Sequence, residues 1–311
     1  MPLIRSVFQD ELDGVSQTLL DLTSMVCTAI SEATTSVLNR DLTIAEKVIE
    51  TDDRIDDMQH ELDGRIITII ARQQPVATDL RALVTALRMS ADLERMGDMA
   101  HHVAKITRMR HPECAIPDEL ISVIEKMGTA ALAIASKMGQ VIATRNVDLA
   151  LEVERDDDEM DQLHRQLIST LIAPQWSHGV ESAIDLTLLG RYYERFADHA
   201  VSVSRRVGTL LIAFTAIAIG VPISAMTALY LNFYAPAKTK ALLTTILDLM
   251  AAFPSILFGL WGYFVLAPMA EYWAKLLYKY FRWIPIFDAP QPAFARSPFI
   301  AALVLTVMII P

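Results

Sequence analysis

The sequence predicts an all-α protein: two repeated three-helix bundles followed by a partial helical transmembrane segment. Apolar residues recur at steps of three and four, the first half of residues 1–207 is repeated in the second, and charge falls away sharply after residue 207. No stretch of residues 1–207 shows the period-two alternation of a half-buried strand. The expected divisions are a first bundle over 1–108, a second over 109–207 and a membrane part over 208–311.

A bundle-facing stripe through Leu12, Val15, Leu19, Leu22, Val26, Ala29, Ala33 and Val37 defines the first helix. Proline and Asx residues then punctuate the chain. Asn39-Arg40-Asp41 opens a second helix, Gln73-Gln74-Pro75 a third, Ile116-Pro117-Asp118 a fourth, Arg145-Asn146 a fifth, and the stretch from Pro174 to Gly179 a sixth. Residues 40–62 match 145–167 at an offset of 105, and 94–103 match 194–203 at an offset of 100. Two similar three-helix units related by pseudo-symmetry are therefore expected.

The most specific repeated feature is Glu-Arg-x-x-Asp, as Glu94-Arg95-Met96-Gly97-Asp98 and Glu194-Arg195-Phe196-Ala197-Asp198. Its carboxylates stand at i and i+4, the spacing that stacks side chains on one helix face. Along the third helix the stripe Leu80, Val84, Leu87, Ala91, Glu94, Asp98, His101 places both acids in the seam. The stripes Val48, Asp52, Ile55, Gln59, Leu62, Ile66 and Val153, Asp157, Met160, His164, Leu167, Leu171 place Asp52 and Asp157 in matched seam positions too. Unpaired carboxylates there would be costly, so a cation is expected among Asp52, Glu94 and Asp98 and among Asp157, Glu194 and Asp198. Helix bundles hold iron, manganese and related ions with such oxygen donors, and the candidate cofactor is a transition metal ion: iron, manganese or zinc.

Asp53, Asp56, Asp57, Asp156, Asp158 and Asp161 flank the clusters, and His101, His102, His164 and His199 are further candidate ligands. The alternative is that Arg54, Arg88, Arg95, Arg191 and Arg195 neutralise the acids at a wet bundle edge.

Charge divides the chain as sharply as pattern does. Residues 1–207 hold 21 Lys+Arg and 34 Asp+Glu, a net of -13, whereas 208–311 hold 6 and 3, a net of +3, recovering the total of -10. The acidic part argues against nucleic acid, whose binding draws on Lys and Arg contacts to phosphates. Cys27 and Cys114 match no ligand spacing and no basic-then-apolar signal segment opens the chain, so residues 1–207 are expected in a reducing cytoplasm. No Gly-x-x-x-x-Gly-Lys-Ser/Thr loop, Cys-His arrangement or Gly-x-Ser-x-Gly elbow is present, and no enzymatic activity is expected. A di-iron carboxylate enzyme would place His three residues after its bridging Glu; here Gly97 and Ala197 stand there.

With Asp-Leu-Glu-Arg-Met-Gly-Asp-Met-Ala ending the first repeat and Tyr-Glu-Arg-Phe-Ala-Asp-His-Ala ending the second, residues 1–207 resemble the PhoU family. The resemblance implies two three-helix bundles whose Glu/Asp-x-x-x-Asp motifs can hold metal clusters, with Glu94, Asp98, Glu194 and Asp198 as ligands. It also implies a negative regulator of phosphate uptake and phosphate-starvation signalling that contacts the phosphate ABC transporter, through its permease and ATPase subunits, and a sensor histidine kinase. A homodimer is expected.

No charged residue occurs from Val207 to Ala237, enough for a spanning helix over 210–231. A second span is expected over 242–266, and a third begins at 297–311 but is too short to cross, which reads as a truncation. The aromatic and basic stretch 271–283 reads as interfacial. Gly220-Val221-Pro222, Asp248-Leu249-Met250-Ala251-Ala252-Phe253-Pro254 and Met308-Ile309-Ile310-Pro311 resemble the permease subunit of phosphate ABC transporters, which implies an inner-membrane location for 208–311. A permease subunit is accordingly the alternative function. The positive-inside rule conflicts with it: Arg205-Arg206 and Lys238/Lys240 ask opposite ends of one span to lie inside, so the 207/208 junction reads as a join of two proteins.

Overall fold

The computed structural model describes residues 2–75 and 77–234, together with Pro236, Tyr272, Lys275 and Lys279; side chains are described within this set except at 2–7, 77, 78, 210–219 and 232. The chain divides into two compact units, Met1–Gly208 and Thr209–Pro311. Among the described residues there is no strand. Among the described residues six long helices run in order: α1 (Pro2–Asn39), α2 (Leu42–Gln73), α3 (Ala77–Arg110), α4 (Ile121–Thr144), α5 (Val147–Leu171) and α6 (Gly179–Phe233), with a 3-10 turn at Asp118–Leu120 leading into α4. The predicted breaks all fall between helices.

Within Met1–Gly208, α1 packs against α2, α3 and α4, α2 against α3, and α4 against α5. The duplication is visible residue by residue in what is buried. Leu22, Val26, Ala29 and Ala33 of α1 correspond to Met127, Ala131, Ile134 and Met138 of α4, all between 0% and 3% exposed. Val48, Ile55 and Leu62 of α2 correspond to Val153, Met160 and Leu167 of α5, and Leu93, Met96 and Ala100 of α3 to Tyr193, Phe196 and Ala200 of α6, every one buried.

The halves meet along α1 and α4, where threonines enter glycine gaps. A Cβ on Gly128 would run into Thr34, 2.7 Å from its Oγ1 and nearer still to Cγ2, while one on Gly139 would lie 3.1 Å from Thr23 Cγ2. These two contacts exchange under the offset of 105, which carries Thr23 to Gly128 and Thr34 to Gly139. A pseudo-twofold relation between the bundles follows. The same relation links α3 with α6: Asp92 accepts from Ser202 Oγ at 3.3 Å, and at the exchanged positions Tyr192 stacks on His102 with ring centroids 5.0 Å apart.

The turns between the first two helices of each half repeat as well. Arg40 and Arg145 take left-handed backbone at φ 58° and 53°. Each precedes an N-cap: Asp41 Oδ1 accepts from Ile44 N at 3.1 Å, and Asn146 Oδ1 from Asp148 N at 2.9 Å. A Cβ at positive φ costs about 1–2 kcal/mol, partly offset by the larger entropy glycine loses on folding. Arg40→Gly and Arg145→Gly are each expected to stabilise the protein by about 0.5–1 kcal/mol. Denaturant melts showing no gain at either position would overturn this.

Two expectations need correction. The stripe assigned to the seam of α3 lies at its edge: Leu80 and Val84 are 38% and 37% exposed, while Leu83, Ala86, Met89, Leu93, Met96 and Ala100 are buried. Both ladders are apolar through the first turns, and only packing against α1 and α2 selects between ladders one residue apart. Glu94, Asp98 and His101 consequently flank the core, half-buried.

The second correction concerns the membrane. Among the described residues no helix is long and apolar enough to cross one, so the span expected at 210–231 is not sustained there. The spans expected at 242–266 and 297–311, and all of the 271–283 stretch except Tyr272, Lys275 and Lys279, lie outside the described residues.

Candidate metal site

The first repeat gathers four acids. Asp52 is brought inside by its place between Val48 and Ile55 on the buried stripe of α2, leaving it 8% exposed. Oδ2 accepts a hydrogen bond from His101 Nδ1 of α3, and Oδ1 has no partner. Burial pushes the Asp52 carboxyl upward; His101 pulls it down without offsetting this, and Asp98 adds repulsion. Asp56, one turn on, also has a buried Oδ1 without a partner, and burial and the charge of Asp98 raise it too. Glu94 is raised by burial and then by Asp98, against the nearby Arg95. Three carboxyls displaced in the same direction mean that too many like charges share too little water.

Arginine answers part of this excess. Arg95 spans its own motif, with Nε 3.4 Å from Glu94 Oε2 and Nη1 3.0 Å from Asp98 Oδ2. In the second repeat Arg191 Nη1 donates to both oxygens of Glu194, at 2.7 and 2.6 Å. The arginine alternative is thus realised at these two residues. Arg95 is 60% exposed, so its hold on the pair is a weak solvent-screened one.

The second repeat is assembled differently. Asp157 is half-buried on α5 and its carboxyl is pushed up to about 6, by burial first and then by the charges of Asp198 and Asp161. Asp198 is exposed, and Glu194 is held by Arg191. Asp157 has a folded pKa above its usual ~3.9, so its ionised form weighs against the fold above about pH 6 and its protonated form does not below about 4. Asp157→Asn is expected to raise the melting temperature in chelator at pH 7.5 and to change little at pH 4; the reverse order would sink this account.

Among the described residues, no three His, Cys, Asp or Glu side chains converge closely enough to hold an ion. The reason is local: Asp52 is engaged by His101, and Glu94 and Asp98 by Arg95. The donor set of the first repeat nevertheless fits a divalent cation, because two carboxylate oxygens and His101 Nε2 are buried without partners. Of the sequence-derived residues, Asp52, Glu94 and Asp98 lie near enough to repel one another, as do Asp157 and Asp198, without converging on one point, while Glu194 is held by Arg191. Asp56 and His101 stood only in the secondary group. The signal for Asp56 was its i+4 spacing from Asp52.

The model of the PhoU domain matches residues 19–107 and 124–207, one copy over each bundle. A phosphate-specific transport system accessory protein, PhoU homolog 2 of Mycobacterium tuberculosis, is 40% identical over 204 residues, spanning 66% of this chain and 96% of the relative. PhoU homolog 1 from the same species is 39% identical over 66% of this chain and 92% of its own length. The crystal structure of PhoU from Pseudomonas aeruginosa superposes with a TM-score of 0.58 at 26% identity, over 66% of this chain and 98% of that one. With both bundles matched and relatives covered almost end to end, the chain belongs to the PhoU family.

Proposed function

We propose that the chain is a PhoU-type negative regulator of phosphate uptake and phosphate-starvation signalling. The observation that carries this reading is the 40% identity across 96% of a phosphate-specific transport system accessory protein. On this reading Met1–Gly208 works in the cytoplasm, as a homodimer, by contact with the permease and ATPase subunits of a phosphate ABC transporter and with a sensor histidine kinase. It turns over no substrate. Expression in a bacterium lacking its own PhoU tests it: restored restraint of phosphate uptake is expected, and uptake unchanged by the protein would overturn it.

The reading includes a metal role for the acid clusters. Glu94, Asp98 and Asp52 are the donors of the first, Glu194, Asp198 and Asp157 those of the second, and an iron, manganese or zinc ion there would supply the positive charge these carboxylates lack. Support comes from the unpartnered Asp52 and Asp56 oxygens and the upward displacement of Asp52, Glu94 and Asp157. In the full chain, Glu94→Ala combined with Asp98→Ala is expected to remove about half of the bound metal measured by elemental analysis, because one of two such sites is lost. Unchanged stoichiometry would refute the ligand assignment. A permease role for 208–311 has less behind it, because the family matches end at residue 207.

A further inference from the structure

The repeats differ in one gap between their first two helices. The offset of 105 carries Gly14 of α1 to Glu119, in the turn that leads into α4, and Arg65 of α2 to Thr170 of α5. The surroundings of these positions correspond: Val15 and Leu120 are each 3% exposed, and Leu62 and Ile66 are buried as Leu167 and Leu171 are. In the first repeat the chain fills the gap itself. Arg65 lays its guanidinium over Gly14, where a Cβ would stand 2.8 Å from Cζ and 2.9 Å from Nη1. In the second repeat that arginine is a threonine, and an open cavity of about 560 Å³ lies between the start of α4 and the end of α5.

The lining suits the group that the second repeat lacks. Glu119 supplies a carboxylate, 58% exposed and steered by His178 Nε2 at 3.1 Å. Ser169 Oγ and Thr170 Oγ1 both donate to Gln166 O, at 2.8 and 3.0 Å, so what their oxygens offer a ligand is lone pairs. Trp176 forms part of the wall. Its Nε1 donates to Gly179 O at 2.8 Å and its ring meets His178 edge-on with centroids 5.0 Å apart, which fixes the indole. Among the described residues no Lys or Arg lines the cavity. Acceptor oxygens, one carboxylate and a fixed indole make a site for a flat cation, because a guanidinium grips a carboxylate through paired N–H donors and stacks on aromatic faces. An anion would be repelled by Glu119.

We propose that this cavity receives a guanidinium, the arginine side chain of a partner protein, which does from outside what Arg65 does within the first repeat. The binding of a guanidinium stands on the cavity and its filled counterpart. That the guanidinium comes from a protein rests on the regulatory reading above, in which the chain works by contact with partners.

Titration of the full chain with N-acetyl-L-arginine methylamide tests the chemistry, followed by NMR through the indole N–H signal of Trp176, which is identified by its absence in Trp176→Phe. A saturable shift is expected, with the corresponding lysine derivative several-fold weaker. Thr170→Arg is expected to abolish the shift, because its own side chain fills the cavity, whereas Thr170→Ser keeps it; far-UV circular dichroism checks that the helices persist. No shift, equal shifts for the two derivatives, or a full response in Thr170→Arg overturns the site. Tighter binding of free L-arginine than of the capped residue assigns the cavity to a metabolite and overturns the partner source. In the phosphate-uptake assay Thr170→Arg is expected to lose the restraint that the unaltered chain provides, and equal restraint by both also overturns that source. An unaltered chain without restraint strikes the regulatory reading, while the shift still decides the site.

Discussion

Gly128→Ala is expected to destabilise the protein by about 2 kcal/mol, lowering its melting temperature by roughly 4–8 °C, whereas Gly139→Ala is expected to be neutral or slightly stabilising. Both substitutions add a methyl to the interior of α4 and gain about 0.5–1 kcal/mol of helix propensity. They differ in what the methyl meets. At Gly139 the neighbour is Thr23 Cγ2 at 3.1 Å, which a shift of a few tenths of an ångström accommodates. At Gly128 it is Thr34, whose Oγ1 is bonded to Ile30 O at 2.8 Å and to Tyr193 OH at 2.9 Å.

Thr34 cannot retreat without disturbing the fully buried Tyr193, so α1 and α4 must separate. Thr34→Ser removes the nearer colliding atom, the Cγ2 methyl, and leaves Oγ1 at 2.7 Å from the added methyl. Combined with Gly128→Ala it is expected to recover part of the lost stability, a coupling that a double-mutant cycle reads directly. Equal melting temperatures for the two alanine variants would show that the Thr34–Gly128 contact does not set the spacing of the bundles.

Asp92→Ala is expected to cost about 2–3 kcal/mol, the range for removing a largely buried carboxylate that accepts charge-assisted hydrogen bonds. Asp92 is 13% exposed on α3 and is approached from α6 by His199 Nδ1 at 3.1 Å, Ser202 Oγ at 3.3 Å and Arg206 Nε at 3.0 Å. Burial raises its pKa, but the His199 and Arg206 hydrogen bonds and their charges outweigh that, leaving it below the usual value. The folded pKa lies under the unfolded ~3.9, so this stability is fully present above about pH 4 and is lost as the pH falls through the folded pKa. The stability gap between the unaltered protein and Asp92→Asn should therefore close in acid. A gap that is constant down to pH 2.5 would assign the effect to packing instead of charge.

The clasp at Asp92 also marks a limit of reading by repeat. Its counterpart is Tyr192, and the partner of Tyr192 is His102, so one side of the pseudo-twofold uses a carboxylate and the other a ring stack. Residue identity gives no hint that 92 with 202 and 192 with 102 are the same contact. The offset of 100 does so only once α3 and α6 are known to cross.

The six helices, their breaks and their duplication were legible in the chain alone, because helix periodicity, proline and Asx caps are local signals within one or two turns. Asp52 and Asp157 were likewise placed by stripes that burial follows. Tertiary structure decided the rest. Which of two ladders one residue apart on α3 faces inward depends on α1 and α2, and it moved Glu94 and Asp98 from the seam to its flank. The bond from His101 to Asp52 joins residues 49 positions apart on different helices. Sequence determines periodicity, repetition and the ion pairs within one helix, such as Arg191 with Glu194 three residues on; the partners of a charge that reaches another helix are fixed only when helices pack.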